Sequence, residues 1–91
     1  MREEINNILL EHGLRRGNGF ECLADAVERY GDQTLSLKRI YAEIADRRGM
    51  SFSAVEKAVS SCVNSSEYDM QITPKAFIAQ IKERIMFEID E

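Results

Sequence analysis

The sequence predicts a compact all-α domain of five to six helices that contains a helix-turn-helix. Apolar residues recur at helical spacing in several segments, one proline and five glycines leave few breaks, and no segment alternates apolar and polar residues long enough for a strand. A length of 91 residues fits one domain, which we assign to residues 1–91. The composition, 44% hydrophobic and 31% charged, is typical of a folded chain rather than a disordered one.

Two helices are predicted in the first third of the chain. The first spans residues 1–12 and ends at Gly13, which suits a left-handed C-terminal stop, and Leu14 can fold back onto its last turn. Its inward positions are Ile5, Ile8, Leu9 and His12. The second helix runs from about Phe20 to Tyr30, and Gly31 closes it. Its apolar stripe consists of Phe20, Leu23, Ala24, Val27 and Tyr30.

The third and fourth predicted helices are separated by a very short turn. The third starts near residues 36–37 and ends at Gly49, and its inward face is Leu37, Ile40, Tyr41, Ile44 and Ala45. The fourth covers about residues 52–64, where Ser53 and Glu56 have the Ser-x-x-Glu spacing of a capping box. Its inward face is Val55, Ala58, Val59 and Cys62.

A last helix is predicted to start at Thr73 and Pro74. A capping hydroxyl followed by proline at the first helical position is a typical helix start. The inward side of this helix consists of Phe77, Ile78, Ile81, Ile85 and Ile89.

The third and fourth helices have the pattern of a helix-turn-helix. Ala45 is small where the two helices would cross, Gly49 suits a turn that needs a left-handed backbone, Met50 is an apolar plug, and Val55 packs the second helix onto the first. A tight helix pair with a purely structural role shows part of the same pattern. We favour the DNA-binding version because the charges are unevenly distributed. Residues 37–64 carry five basic and three acidic side chains in a chain of net charge −4.

In a DNA reader the second helix of the pair enters the major groove. Its predicted outward residues are Ser53, Ala54, Lys57, Ser60, Ser61 and Asn64. Lys57 would donate to guanine, and the serines would bond to bases or phosphates. Four basic residues of the preceding helix are expected to approach phosphates, or otherwise to form a solvated helix face: Lys38, Arg39, Arg47 and Arg48.

These segments resemble the DNA-binding effector domain of the sporulation response-regulator transcription factors. The similar segments are Ile8-Leu9-Leu10-Glu11-His12-Gly13-Leu14, Gly19-Phe20 with Leu23 and Ala26-Val27, Ile44-Ala45, Ser53-x-Val55-Glu56-Lys57-Ala58-Val59, and Phe77-Ile78-Ala79. The resemblance implies a six-helix domain that binds promoter DNA, often as tandem copies or a homodimer on DNA, and contacts the sigma subunit of RNA polymerase.

Residue by residue, the resemblance implies DNA contacts at Ser53, Glu56 and Lys57, where Lys57 stands in place of an arginine. Ala54, Ser60 and Ser61 stand where the family has arginine, arginine and histidine. The last helix aligns Lys82, Glu83 and Ile85 with the polymerase-facing surface. The stretch between Asn64 and Thr73 is shorter than in the family, so one helix is expected to be lost or reduced to a turn. No receiver domain is expected within these 91 residues, so the chain is either an excised effector domain or a free-standing relative.

Other classes of function find little support in the sequence. His12 is the only histidine and has no serine, cysteine or aspartate cluster with it, so no catalytic site and no enzyme activity are predicted. Cys22 and Cys62 lie 40 positions apart, which does not suit a metal site and predicts two reduced, buried thiols and no cofactor. No stretch approaches a membrane span, and Met1-Arg2-Glu3-Glu4 does not begin a signal peptide, so a cytoplasmic protein with no membrane partner is expected.

One alternative from another class remains. This alternative is a helical protein-interaction module that keeps the helix-turn-helix core but has lost tight DNA binding. Such a module would bind RNA polymerase or a related regulator. The acidic ends of the chain and the nearly neutral outward face of the fourth helix favour this alternative.

Overall fold

A computed structural model describes residues 2–30, 36–64 and 73–89. For residues 88 and 89 it describes the backbone but not the side chains. Five α-helices account for most of these residues: α1 (Arg2–Glu11), α2 (Asn18–Arg29), α3 (Leu37–Arg48), α4 (Phe52–Asn64) and α5 (Pro74–Ile89). No strand occurs within the described ranges. The all-helical prediction is confirmed, with a helix count close to the expected five to six. The predicted stop at Gly31 lies outside the described residues.

The ends of the first and last helices follow the predicted local chemistry. Gly13 adopts a positive φ of 82° after α1, and the Leu14 N–H donates to the Leu9 carbonyl at 3.3 Å. Leu14 is thereby buried against the helix that precedes it. At α5 the Thr73 hydroxyl accepts from the Ala76 N–H at 3.2 Å, so the predicted cap and the proline start are confirmed.

The cap of α4 differs from the prediction. Ser51, not Ser53, caps this helix, because the Ser51 hydroxyl accepts from the Ala54 N–H at 3.1 Å. The Ser51 carbonyl also accepts the first helical bond, from Val55. The prediction of a Ser53–Glu56 capping box is therefore wrong, because the capping serine lies two residues earlier in the sequence. Ser53 lies within the first turn, where its hydroxyl is exposed rather than engaged at the helix end.

The core is organised around α2, which packs on each of the other four helices. Its closest approach is to α4: a Cβ at Gly19 would lie 2.7 Å from the Ala58 carbonyl oxygen and 3.2 Å from Cys62 Cβ. Only glycine fits there without a shift. Cys22 and Cys62 are buried free thiols, as expected. The largest fully buried side chains come from all five helices: Ile5, Leu9, Phe20, Leu23, Val27, Ile40, Val55, Val59, Phe77, Ile78, Ile81 and Ile85.

Across the part of the chain that the structure describes, no helix has the length and apolar character needed to span a bilayer.

Candidate nucleic-acid interface

The turn between α3 and α4 is three residues long, the length expected for a helix-turn-helix. Gly49 adopts a left-handed conformation (φ 65°, ψ 33°), and the Met50 N–H donates to the Ala45 carbonyl at 2.9 Å. Ala45 and Val55 are buried. Met50 packs on the core, with its sulfur 3.9 Å from Cys22 Sγ. The left-handed turn at Gly49 and the packing of Met50 and Val55 in the core agree with the predicted pattern, and Ala45 is buried.

The outward face of α4 is open to solvent. Ser53, Lys57 and Ser61 are exposed and lie four residues apart, so they form one stripe along the helix, which we call the exposed edge of α4. Glu56 and Asn64 are exposed beside it. The other predicted outward residues, Ala54 and Ser60, are partly buried. On the opposite side, Val55, Val59 and Cys62 are buried as predicted, whereas Ala58 is only half-buried.

A groove of about 650 Å³, which we call the α4–α5 groove, runs along one side of this edge. Its apolar lining comes from Leu37, Tyr41 and Pro74. Its polar lining comes from Glu56, Lys57, Ser60, Ser61, Asn64, Thr73 and Lys75. The first turn of α5 therefore faces the C-terminal half of α4 across the groove.

A second groove, of about 610 Å³, runs along the other side of α4 and is called the α2–α4 groove. It is lined by Gly13, Arg15, Gly19, Phe20, Ala58, Ser61 and Cys62. Ser61 lines both grooves, so this part of α4 forms a ridge between two depressions. Each depression has a basic side chain on its far side, Arg15 in one and Lys75 in the other.

Tyr41 lines the α4–α5 groove, and its hydroxyl oxygen is buried without a hydrogen-bond partner. Tyr41 is only 5% exposed. Burial, and secondly the charge of Glu56, raise the pKa of Tyr41 to about 12, so the phenol stays protonated at neutral pH. A buried hydroxyl without a partner ordinarily costs about 1–3 kcal/mol of stability.

The basic residues of α3 divide into two groups. Lys38, Arg39 and Arg47 are exposed and remain candidates for phosphate contacts. Arg48 is committed elsewhere, because its Nε donates to the Asp25 Oδ2 atom at 2.7 Å. Its guanidinium ties the end of α3 to α2, and the phosphate contact of Arg48 stays a prediction.

Asp25 is the centre of a small ionic cluster between three helices. Its other carboxylate oxygen accepts from Arg2 Nη1 at 2.7 Å, so one carboxylate joins α1 and α3 to α2. Arg2 also contacts Glu21 and Glu28, each at 3.0 Å. Burial acts to raise the pKa of Asp25, but the hydrogen bonds from Arg48 and Arg2 outweigh it and hold the pKa below its ordinary value. This cluster engages two arginines, Arg2 and Arg48, in contacts within the protein.

The three residues aligned with a polymerase-facing surface differ in exposure. Ile85 is fully buried, so its assignment to a contact surface is wrong. Lys82 is partly buried, and its Nζ donates to the Glu28 carbonyl at 3.1 Å. Glu83 alone is exposed. Among the described side chains of α5, the large exposed apolar ones are the next two, Met86 at 55% and Phe87 at 74% exposure.

Sequence reasoning missed Tyr41 and Lys75 as groove residues. Lys75 directly follows the Thr73-Pro74 helix start, so its place in the first turn of α5 was readable. The position of Lys75 opposite α4 could not be predicted from the sequence, because it depends on how α5 packs against α4. Tyr41 was placed in the core, and its hydroxyl's lack of a partner depends on every neighbouring side chain.

The described residues contain no group of three or more histidine, cysteine, aspartate or glutamate side chains that could hold a metal ion. No protein-family model, curated protein or solved structure matches this chain. The resemblance to the sporulation effector domain therefore rests on the sequence motifs alone.

Proposed function

We propose that this chain binds double-stranded DNA and regulates transcription at promoters in the cytoplasm, in the manner of the sporulation effector domains. The observation that carries the proposal is the exposed edge of α4, which follows a left-handed glycine turn and is not covered by any of the residues that the structure describes. Helix α4 would lie in the major groove with Ser53, Lys57 and Ser61 towards the base edges.

The dimensions of α4 suit this role. Its 13 residues give a length of about 20 Å, and Ser53 and Ser61 lie about 12 Å apart along the axis. The major groove of B-DNA is about 12 Å wide and admits one α-helix. The depressions on both sides of α4 leave room for the two sugar-phosphate walls of that groove.

The charges around α4 indicate that phosphates would provide most of the affinity. Lys57 is the only basic side chain on the exposed edge, and it lacks the paired donors with which arginine recognises guanine. Four exposed cations would reach the strands: Arg15 and Lys75, which line the grooves beside α4, and Lys38 and Arg47 of α3. Phosphate contacts set the position of a protein on DNA but carry no sequence information, so we expect modest sequence preference.

Salt dependence tests the proposal directly. Binding of the whole chain to a fluorescent 20-base-pair duplex is measured by anisotropy between low and physiological salt. Four phosphate contacts predict a slope of about −3.6 for log affinity against log salt. If the chain binds no duplex even at low salt, the DNA-binding proposal is contradicted.

A matched pair of variants separates α4 contacts from general charge effects. Lys75→Ala removes a cation that lines the α4–α5 groove, whereas Arg84→Ala removes one that lies about 14 Å further along α5 and pairs with Glu11 at 2.6 Å. The first is expected to weaken DNA binding and to make the salt slope shallower by about 1, and the second to leave both unchanged.

A second candidate function is supported by the end of α5. Met86 and Phe87 present exposed apolar surface, as does Leu10 of α1 at 41% exposure. Large exposed apolar side chains are a feature of protein-binding surfaces. The corresponding proposal is a helical module that binds RNA polymerase or a related regulator. If the chain pulls down purified RNA polymerase and the Phe87→Ser variant does not, this candidate is supported. If the chain binds duplex DNA but not the polymerase, the DNA-binding function is favoured.

A further inference from the structure

The loop between α1 and α2, residues 12–17, carries two adjacent arginines beside α4. Arg15 and Arg16 are both exposed. Arg15 lines the α2–α4 groove, and Ser61 of the exposed edge of α4 lines the same groove. A cation of this loop and a residue that would face DNA therefore border one depression of the surface.

These two arginines differ from others in the chain in their lack of an acidic partner. Four arginines each have a carboxylate oxygen at 2.6 to 3.0 Å: Arg2, Arg29, Arg48 and Arg84. Arg15 and Arg16 form no such pair with any residue that the structure describes. In a chain of net charge −4, the loop is therefore a local positive surface that the neighbouring acids do not neutralise.

The loop is anchored in the core on both sides of the arginines. Leu14 is buried, and its N–H donates to the Leu9 carbonyl at 3.3 Å. On the other side, the guanidinium carbon of Arg16 lies 5.3 Å from the centre of the buried Phe20 ring. Stacking on a ring leaves the N–H groups at the edge of the guanidinium free to donate. Because these positions are already fixed, less conformational entropy is lost when the loop binds an anion.

A strand of duplex DNA is the anion whose position relative to α4 follows from the proposed function. A helix in the major groove lies between two sugar-phosphate strands, in a groove about 12 Å wide. The α2–α4 groove lies directly beside α4, where one of those strands would pass. Arginine suits a phosphate at this place, because its guanidinium donates two parallel hydrogen bonds to phosphate oxygens. A strand along this groove brings its phosphates to the loop that carries Arg15 and Arg16.

We propose that Arg15 and Arg16 bind neighbouring phosphates of one DNA strand, which lies along the α2–α4 groove when α4 occupies the major groove. Lys75, on the far side of the α4–α5 groove, then faces the opposite strand. These contacts flank the C-terminal half of α4 at Ser61, whereas a recognition helix usually reads bases with its N-terminal residues. The inference rests on the proposed DNA-binding function and specifies how the chain is oriented on the duplex.

Charge-removing variants of the loop test these contacts by fluorescence anisotropy with the whole chain. Arg15→Ala and Arg16→Met are each expected to make the slope of log affinity against log salt shallower by about 0.9, which is about eightfold weaker binding at about 0.1 M salt. The double variant should lose about 1.8. Arg16→Met keeps an apolar cover on Phe20, so its melting temperature should stay within about 4 °C of the wild type.

Arg29→Ala is the matched control. Arg29 ends α2, about 16 Å along the helix from the loop, and its charge is compensated by Glu43 at 3.0 Å. The formal charge change is the same as in the loop variants, but the salt slope is expected to stay that of the wild type.

Neutral methylphosphonates locate the contacts on the duplex. Each replaces one phosphate of a duplex selected from a random pool, and the loss of affinity is measured with the wild type and with each variant. A phosphate bound by an arginine should lose its effect in the variant that lacks that arginine, because the interaction is already absent. The positions coupled to Arg15 and Arg16 are expected next to each other on one strand, and those coupled to Lys75 on the other strand.

The outcomes separate this orientation from DNA binding itself. If the chain binds duplex but the loop variants keep the salt slope of Arg29→Ala, the loop contacts are overturned while the DNA-binding function stands. Coupling of Arg15 and Lys75 to phosphates of the same strand likewise overturns the orientation alone. If the wild-type chain binds no duplex even at low salt, the proposed function and this inference fail together.

Discussion

Arg48 Nε donates to the Asp25 Oδ2 atom at 2.7 Å, and this contact joins the last turn of α3 to the middle of α2. Arg48 is the last residue of α3, immediately before the Gly49 turn. The contact therefore holds the helix-turn-helix against the rest of the core at the point where the chain changes direction. An arginine that sequence position alone assigned to DNA has instead an internal partner.

Replacing Arg48 is expected to reduce stability rather than only DNA affinity. Hydrogen bonds to charged groups contribute about 1.5–3 kcal/mol, and the partial exposure of Arg48 lowers the expected loss in Arg48→Ala to about 1–2 kcal/mol. Urea denaturation measures this loss in the free energy of unfolding. Arg47→Ala, the exposed neighbour, is the control and should change stability by less than about 0.5 kcal/mol. Equal unfolding midpoints for the two variants would contradict the internal role.

The Asp25 cluster predicts a specific acid sensitivity. Because the folded-state pKa of Asp25 lies below its ordinary value of 3.8, the unfolded chain binds this proton more readily. The stabilisation is complete above about pH 5 and is lost as pH falls through the folded-state pKa, with a slope of up to about 1.4 kcal/mol per pH unit. Asp25→Asn should be less stable at pH 7 and should lose less stability below pH 4. A parallel acid profile for the variant and the wild type would argue against the cluster.

Two glycines are needed for different reasons, and paired variants distinguish them. Gly19→Ala places a Cβ 2.7 Å from a backbone oxygen of α4, so we expect a loss of about 1 kcal/mol or more although alanine favours helices. Gly49→Ala meets no atom within 4 Å but strains a backbone with φ of 65°, at a cost of about 1 kcal/mol. Gly49→Asn should cost less, because asparagine tolerates that conformation. Thermal unfolding of all three variants measures the differences.

The corrected cap of α4 makes a simple prediction. Ser51→Ala removes the hydroxyl that accepts from Ala54 and should cost about 1 kcal/mol, whereas Ser53→Ala should leave stability nearly unchanged. If urea denaturation showed a larger loss of stability for Ser53→Ala than for Ser51→Ala, the Ser53–Glu56 capping box would be supported instead. If Ser53→Ala lowers duplex affinity without a change in stability, its exposed hydroxyl contacts DNA.

Base and phosphate contacts are expected to respond differently to substitution. Lys57→Ala should reduce the preference among duplexes selected from a random pool, because Lys57 lies on the exposed edge of α4. Arg47→Ala should weaken binding to all duplexes by a similar factor, as expected for a phosphate contact. Selection followed by sequencing measures both effects. Identical pools for Lys57→Ala and the wild type would show that α4 does not read bases through Lys57.

Local patterns in the sequence determined most of the fold. Helical spacing of apolar residues, the glycine stops at Gly13 and Gly49, and the Thr73-Pro74 start act over fewer than about five residues, so they can be read without knowledge of the partner helices. The same reasoning identified the exposed edge of α4, because its inward and outward residues are fixed by the period of one helix.

The tertiary structure alone decided which polar side chains are free and which are engaged. Arg48 meets Asp25 across 23 positions of sequence, and Lys75 faces α4 only because α5 packs beside it. The placement of Ile85 inside the core and of Tyr41 at a groove wall likewise depends on five helices at once. Such partners are set by the relative positions of distant segments, about which the helical periodicity of any one segment carries no information.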